Sequence, residues 1–369
     1  MKTSFEKIKK NFGFGCMRLP MKAGQVDYDE FNRMIDRFID AGFNYFDTAH
    51  GYLDGKSELA IRDCLAARYP RDAFILANKI THPYFDSEAD VLPLFEHQLE
   101  CCGVDYFDFY LFHALNANNY EKHKACKTFE TVQRLKEQGK VRHIAMSFHD
   151  SAEVLDRILS ENPCVEFVQL QLNYLDYDDP GVQSKLCYDV AVKHGKKVIV
   201  MEPVKGGSLV NLPKEAADLL SALGNASQAS YALRYAASFP EVFMVLSGMG
   251  NMDMMNDNIN TMGDFVRFSD EEYAAVEKVR EIIRRVNQIQ CTKCEYCLAG
   301  CPAGIKIPYI FAPYNRYLAA EITRRQAKDE LPVDSAPASD CIGCGACEEI
   351  CPQSLPIRAL LSKIADRLR

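Results

Sequence analysis

No stretch of the 369 residues stays apolar long enough to cross a bilayer. The basic N-terminal run from Met1 to Lys10 lacks the apolar core of a secretion signal, so a cytoplasmic location is expected. A basic excess is missing as well. The formal net charge is -8, whereas a general nucleic-acid binder needs a positive face. A complete Gly-x-Gly-x-x-Gly turn is absent too: Gly13-Phe14-Gly15 is followed by Arg18 where the third glycine would stand. That argues against an open doubly wound sheet. No flavin-binding motif is evident. Hydrophobic content of 48% and charged content of 25% are otherwise ordinary for a globular chain with a packed core.

What is present is a regular alternation of short β-prone runs and amphipathic stretches. The first strand is expected at Phe12 to Gly15. The next runs are Phe43 to Phe46, Ala73 to Asn78, Phe107 to Phe112, Val141 to Met146, Phe167 to Gln171, Lys197 to Met201 and Val242 to Leu246. Helical spacing appears between them, for example Phe31, Met34, Ile35, Phe38 and Ile39 before a stop at Gly42. Eight strands alternating with helices imply parallel crossovers and a closed (β/α)8 barrel. A barrel needs about 250 residues, which leaves a C-terminal remainder. The expected division is a barrel over 1–286 and a second domain over 287–369, where two tight cysteine runs, Cys291 to Cys301 and Cys341 to Cys351, point to a small ferredoxin-like iron–sulfur domain.

In such a barrel the C-terminal ends of the strands carry the chemistry. Asp47 closes the second run and Tyr52 lies on the loop beyond it. Lys79 follows the third run and His113 the fourth. Each residue alone has a plain structural explanation, a cap for Asp47 or packing for Tyr52. Together at one mouth they are harder to explain so. His50, His143 and His149 lack that support and read as structural or rim residues.

This pattern resembles the catalytic tetrad of the aldo-keto reductases, whose Asp-Thr-Ala-x-x-Tyr element is matched by Asp47-Thr48-Ala49-His50-Gly51-Tyr52. The resemblance covers about three quarters of the chain. It implies that Tyr52 is the acid/base, that the Lys79 ammonium lowers the phenol's pKa, that Asp47 holds the ammonium, and that His113 orients a carbonyl oxygen. It further implies a bound NADP or NAD. Met17 and Arg18 would lie on the first loop, Ser147 and Gln169 at the nicotinamide amide, and Met201 on the ring face, where many members have an aromatic. The turn Glu202, Pro203, Val204, Lys205, Gly206 and Gly207, with Gly248, Met249 and Asn251, would cradle the phosphates. Asp257 and Asn258 would lie near the adenosine. From Gly248 to Asn258 there is no basic residue, so the choice between NADPH and NADH stays open, with Lys205 as the nearby basic candidate for a 2′-phosphate.

Fifteen cysteines are many for such a chain, and eight fall in two tight runs. Cys291, Cys294, Cys297 and Cys301-Pro302 form one; Cys341, Cys344, Cys347 and Cys351-Pro352 form the other. Both fit the ferredoxin spacing C-x₂-C-x₂-C-x₃-C-P, in which the fourth thiolate serves the other cluster. Cys291, Cys294, Cys297 and Cys351 are therefore expected to hold one [4Fe–4S] cluster, and Cys341, Cys344, Cys347 and Cys301 the other. Zinc fits this spacing poorly and disulfides worse. The other seven cysteines read as small buried hydrophobes. The stripe Ile357, Leu360, Leu361, Ile364 and Leu368 is expected to dock this domain on the barrel.

The expected activity is NAD(P)H-dependent interconversion of a carbonyl and an alcohol, on a small carbonyl substrate. No nucleic acid or membrane is expected as partner, while a one-electron redox partner is admitted. The alternatives are an electron-transfer protein whose barrel positions the iron–sulfur module, or clusters that act only as staples.

Overall fold

The computed structural model describes residues 8, 10–224, 226–285, 289–319 and 321–368. Most of the run from Met1 to Lys10, and the expected boundary at 286–287, lie outside the described residues. Among the described residues no helix is long and apolar enough to cross a membrane. The chain forms two compact units.

The first unit contains the barrel. Its strands are β1 (Phe12–Gly15), β2 (Tyr45–Asp47), β3 (Ile75–Ile80), β4 (Phe107–Leu115), β5 (Val141–Phe148), β6 (Phe167–Gln171), β7 (Lys197–Met201) and β8 (Val242–Ser247). Each pairs in parallel with the next, and β8 pairs with β1 to close the ring. Tyr45, Ile75, Phe109, Phe167, Ile199, Met244 and Leu246 fill the interior. Phe12 and Phe14 point outward instead, against Phe31, Phe38 and Phe43. A Cβ on Gly13 would stand 2.6 Å from Leu246 and 2.8 Å from Tyr45. That crowding explains a glycine on the inner face of β1.

The strand ends differ from the sequence reading in detail. Lys79 lies within β3, and His113 lies two residues inside β4, because pairing with β5 continues to Leu115 and Phe148. Beyond Tyr52 the chain is α-helical for Lys56–Ile61 and then π-helical for Arg62–Ala66. The helices Ala117–Ala125, Lys214–Ser221 and Met252–Gly263 were not foreseen. A short hairpin joins Met21–Lys22 to Gln25–Val26.

The second unit takes in 179–182, 204–231 and 268–369. This division differs from a split at residue 286: helix Asp270–Arg285 packs against Lys214–Ser221, with Arg285 paired to Glu215. The unit has an internal repeat fifty positions long. Cys291, Cys294, Cys297 and Cys301 recur as Cys341, Cys344, Cys347 and Cys351. Helix Ile307–Leu318 recurs as Ile357–Arg367. Lys293 and Glu295 have φ of 52° and 68°, where the second run has Gly343 and Gly345 at 73° and 87°. The left-handed turns are thus part of the repeat and not of the residue type.

The apolar stripe expected to dock this domain is instead accounted for inside the second unit. Ile357, Leu361, Ile364 and Leu368 are buried in the second unit's own core with Ile305, Ile307, Phe311 and Tyr314. A unit this small must spend such a stripe internally to have a core at all.

Candidate functional site

Lys79 projects from β3 with 1% of its surface exposed. Its Nζ lies 2.6 Å from Asp47 Oδ1 and 2.7 Å from the Thr48 carbonyl oxygen, to both of which it donates. The same Nζ lies 5.0 Å from the centre of the Tyr52 ring. The Tyr52 ring meets that of His113 edge-on, with centroids 5.7 Å apart. The structure thus brings together all four residues of the expected tetrad.

Burial pushes the Asp47 carboxyl up, and the Lys79 ammonium and the Gln169 amide pull it part of the way back. Burial, then the Lys79 charge, holds His113 well below the usual imidazole range, so its ring is neutral at pH 7. His113 Nδ1 lies 2.8 Å from Thr81 Oγ1. Thr81 was not singled out from sequence. The hydroxyl also lies 3.3 Å from the Lys79 carbonyl oxygen. Where that hydroxyl's proton goes therefore sets which ring nitrogen of His113 carries hydrogen.

Ser147 and Gln169 are register partners on β5 and β6, both buried. Ser147 Oγ accepts from the Ala114 amide at 2.7 Å. Gln169 Oε1 is buried without a hydrogen-bond partner among the described residues. Such an orphan acceptor suits the amide N–H of a nicotinamide. Met201 ends β7 half-buried, and Met17 and Arg18 are half-buried in the turn after β1. Glu202 has φ of 56°, and Pro203 is buried.

After β8, Gly248 is exposed and Met249 fully buried. Asn251 caps helix Met252–Gly263, its side chain accepting from the Met254 amide. The Asn258 amide donates to Ser247 Oγ at 3.0 Å, while Asp257 is half-buried. Two residues missed in the sequence reach this segment from helix Tyr28–Asp40. Glu30 Oε1 accepts from the Met252 amide at 3.1 Å, and Arg37 donates to Asn256 Oδ1 at 3.0 Å.

Val204, Lys205, Gly206 and Gly207 belong to the second unit. Lys205 is 1% exposed and its Nζ donates to Gln353 Oε1 at 2.7 Å. The amine thus has a partner other than a nucleotide phosphate. The three histidines read as structural or rim residues have partners: His50 is held by Glu58 and His143 by Glu166. His149 is held by Gln171. Of the scattered cysteines, Cys16, Cys64, Cys102, Cys126 and Cys187 are buried, and Cys101 and Cys164 partly so.

Two cavities in the second unit carry the clustered cysteines. Cys291, Cys294, Cys297 and Cys351 line one, and Cys301, Cys341, Cys344 and Cys347 the other. Each therefore receives three thiols from one run and the fourth from its repeat. Burial, then crowding by Cys294, Cys291 and Cys351, pushes the Cys297 thiol up to about 12. Four thiolates share such a space comfortably only around positive metal, which fits an iron–sulfur cluster. Among the described residues no three His, Cys, Asp or Glu side chains converge on a single ion. A cubane holds its ligands at separate corners, so its thiols stand wider apart.

An eight-stranded parallel barrel with a buried lysine, a carboxylate and a tyrosine at the strand ends defines an oxidoreductase of the (β/α)8 class. The chain belongs to the aldo/keto reductase family, whose model matches residues 11–281. Residues 290–355 match the 4Fe-4S dicluster domain. An aldo-keto reductase of Mycolicibacterium smegmatis is 27% identical over 210 residues, 56% of this chain and 71% of that protein. The uncharacterized oxidoreductase YqkF of Bacillus subtilis is 22% identical over 296 residues, 72% and 90% of the two chains. Among solved structures, the aldo-keto reductase AKR11C1 from Bacillus halodurans, in its holo form, is similar with a TM-score of 0.60. Its identity is 23%, over 73% of this chain and 91% of that one. An aldo-keto reductase from Klebsiella pneumoniae in complex with NADPH gives a TM-score of 0.60 at 19% identity, over 73% and 90%. At these identities the structural likeness is one of fold.

Proposed function

We propose that the protein interconverts a small aldehyde or ketone and its alcohol with a nicotinamide cofactor, and carries its own pair of [4Fe–4S] clusters. The observation that supports this best is the Lys79 amine, 2.6 Å from Asp47 Oδ1 and 5.0 Å from the Tyr52 ring centre. An ammonium beside a phenol favours the phenolate, so Tyr52 can give a proton to a carbonyl oxygen or take one from an alcohol. Asp47 balances the ammonium and fixes its position. Neutral His113 donates from Nε2 to the same carbonyl oxygen when the Thr81 hydroxyl donates to Nδ1. NADPH or NADH supplies the hydride when bound, as NADPH is in the Klebsiella relative's crystal. Gln169, Ser147 and Met201 would hold its nicotinamide. The functional domains would be 1–286 and 287–369, in a cytoplasmic protein without nucleic-acid or membrane partners.

The experiment is Tyr52→Phe assayed for NAD(P)H-dependent carbonyl reduction, using a deuterated cofactor to follow hydride into the product. Losing a general acid costs about 10²–10⁴-fold in rate. Turnover retained within a factor of a few removes Tyr52 from the chemistry and the reading with it.

The two cysteine-lined cavities favour a second reading, in which the clusters pass electrons to a partner. Cys294→Ser and Cys344→Ser separate the cases. Unchanged turnover in a folded protein excludes a relay in carbonyl reduction, and a lowered melting temperature with unchanged turnover identifies structural staples.

A further inference from the structure

The cavity lined by Cys291, Cys294, Cys297 and Cys351 has one polar wall that ligation does not explain. Gln353, two residues past Cys351, lines it and is 6% exposed. Its Oε1 accepts from Lys205 Nζ at 2.7 Å. A lysine amine held this way donates and does not accept, so the amide oxygen faces the lysine and Nε2 faces away from it. That Nε2 is buried with no hydrogen-bond partner among the described residues. A buried N–H without an acceptor is costly. The acceptors an iron–sulfur cluster brings to this cavity are its sulfurs.

The lysine is itself held rigidly. It lies in a turn where Lys205, Gly206 and Gly207 have φ of 47°, 62° and 97°. A Cβ on Gly206 would lie 2.4 Å from the Thr292 carbonyl oxygen, and Thr292 lines the same cavity. Only glycine allows the turn to press this close to the cavity wall. The repeat supplies an internal comparison. Fifty positions earlier, Ala303 follows Cys301-Pro302 and lines the other cavity, where it offers no side-chain donor.

We propose that Gln353 Nε2 donates an N–H···S hydrogen bond to the cluster held by Cys291, Cys294, Cys297 and Cys351, and that Lys205 is the positioning residue that orients the amide. The proposal rests on the iron–sulfur reading of the cysteines and is independent of the carbonyl chemistry. A donor to sulfur stabilises the more negative, reduced cluster and raises its reduction potential. The other cavity has Ala303 at the matching position and, in its lining, Arg358, which donates to Glu348 and to the Gly343 carbonyl, so this amide donor is particular to one cluster.

The test is a redox titration of the full-length holoprotein followed by electron paramagnetic resonance, with iron and sulfide assayed alongside. Gln353→Met removes the amide at similar size. Gln353→Glu keeps an acceptor for Lys205 but has no N–H. Both are expected to move one cluster potential downward and leave the other in place. Lys205→Met is expected to move the same potential in the same direction, and Lys205→Arg to restore it. Both potentials unmoved in the Gln353 variants, at full iron content, overturn the proposal. If neither Gln353 variant loads iron, the unaltered holoprotein made with isotope-labelled glutamine decides. A side-chain nitrogen coupled to a reduced cluster is expected, and its absence overturns the proposal. Iron failing to load in the unaltered protein would instead reject the iron–sulfur reading.

Discussion

Lys79 and Asp47 form an ion pair in which the side chains are 1% and 5% exposed and Nζ stands 2.6 Å from Oδ1. Removing one partner of such a pair leaves an uncompensated buried charge, which costs about 3–5 kcal/mol. Asp47→Asn is therefore expected to lower both stability and turnover. Urea unfolding beside steady-state kinetics checks this. Parent-like stability would mean that the Thr48 carbonyl alone satisfies the amine.

Thr81→Val tests the hydroxyl at His113 Nδ1. A hydrogen bond worth about 1 kcal/mol corresponds to roughly a fivefold loss of kcat. The KM for cofactor is expected to stay put, and Thr81→Ser to restore the rate. Equal kcat for the valine variant would separate Thr81 from the orientation of His113.

Glu30, its other oxygen paired with Arg33, places a carboxylate against the Met252 amide, at the start of the helix whose Asp257 and Asn258 the family resemblance puts near the adenosine. A negative charge there repels a 2′-phosphate by about 1 kcal/mol at 4 Å in water, roughly fivefold in affinity. Glu30→Gln is expected to lower the KM for NADPH about that much and leave the KM for NADH unchanged. Equal changes for the two cofactors would place the 2′-phosphate elsewhere.

Acid lability follows from the buried imidazoles. Burial pushes His123 down to about 3 and His149 down to about 4, and holds His113 well below its usual range. Their folded values are depressed, so below pH 6.5 the unfolded chain binds protons that the folded chain refuses. Stability is then complete above the unfolded value and falls as pH drops from 6.5 toward 4. Each such histidine costs ~1.4 kcal/mol per pH unit. His123→Gln is expected to flatten the slope between pH 6.5 and 5, measured by guanidinium unfolding. An unchanged slope would mean His123 protonates in place.

The barrel was legible because each strand is a short apolar run with a polar residue of distinct chemistry at or near its end. The eight clustered cysteines were legible because ferredoxin spacing is local. The helix Ala117–Ala125 was not foreseen: it is mostly polar, and among its residues only Tyr120 and His123 are buried. His113 was placed past its strand when it lies inside it, since pairing with β5 decides where β4 stops. Glu30, Arg37 and the Lys205–Gln353 pair were invisible for one reason. Their partners lie 222, 219 and 148 positions away, and no short-range pattern reports a contact made by the closed fold.

The early passage of residues 204–231 through the second unit has a practical consequence. A chain trimmed after residue 285 would keep Lys205 and Gly206 but lose Gln353 and Thr292, the neighbours that surround them. Truncation would then strand a buried amine and bare a turn shaped to fit a wall no longer there. Reductase and iron–sulfur module are therefore not interchangeable cassettes, and a fusion of this kind becomes hard to undo once a loop of one partner has been folded into the other.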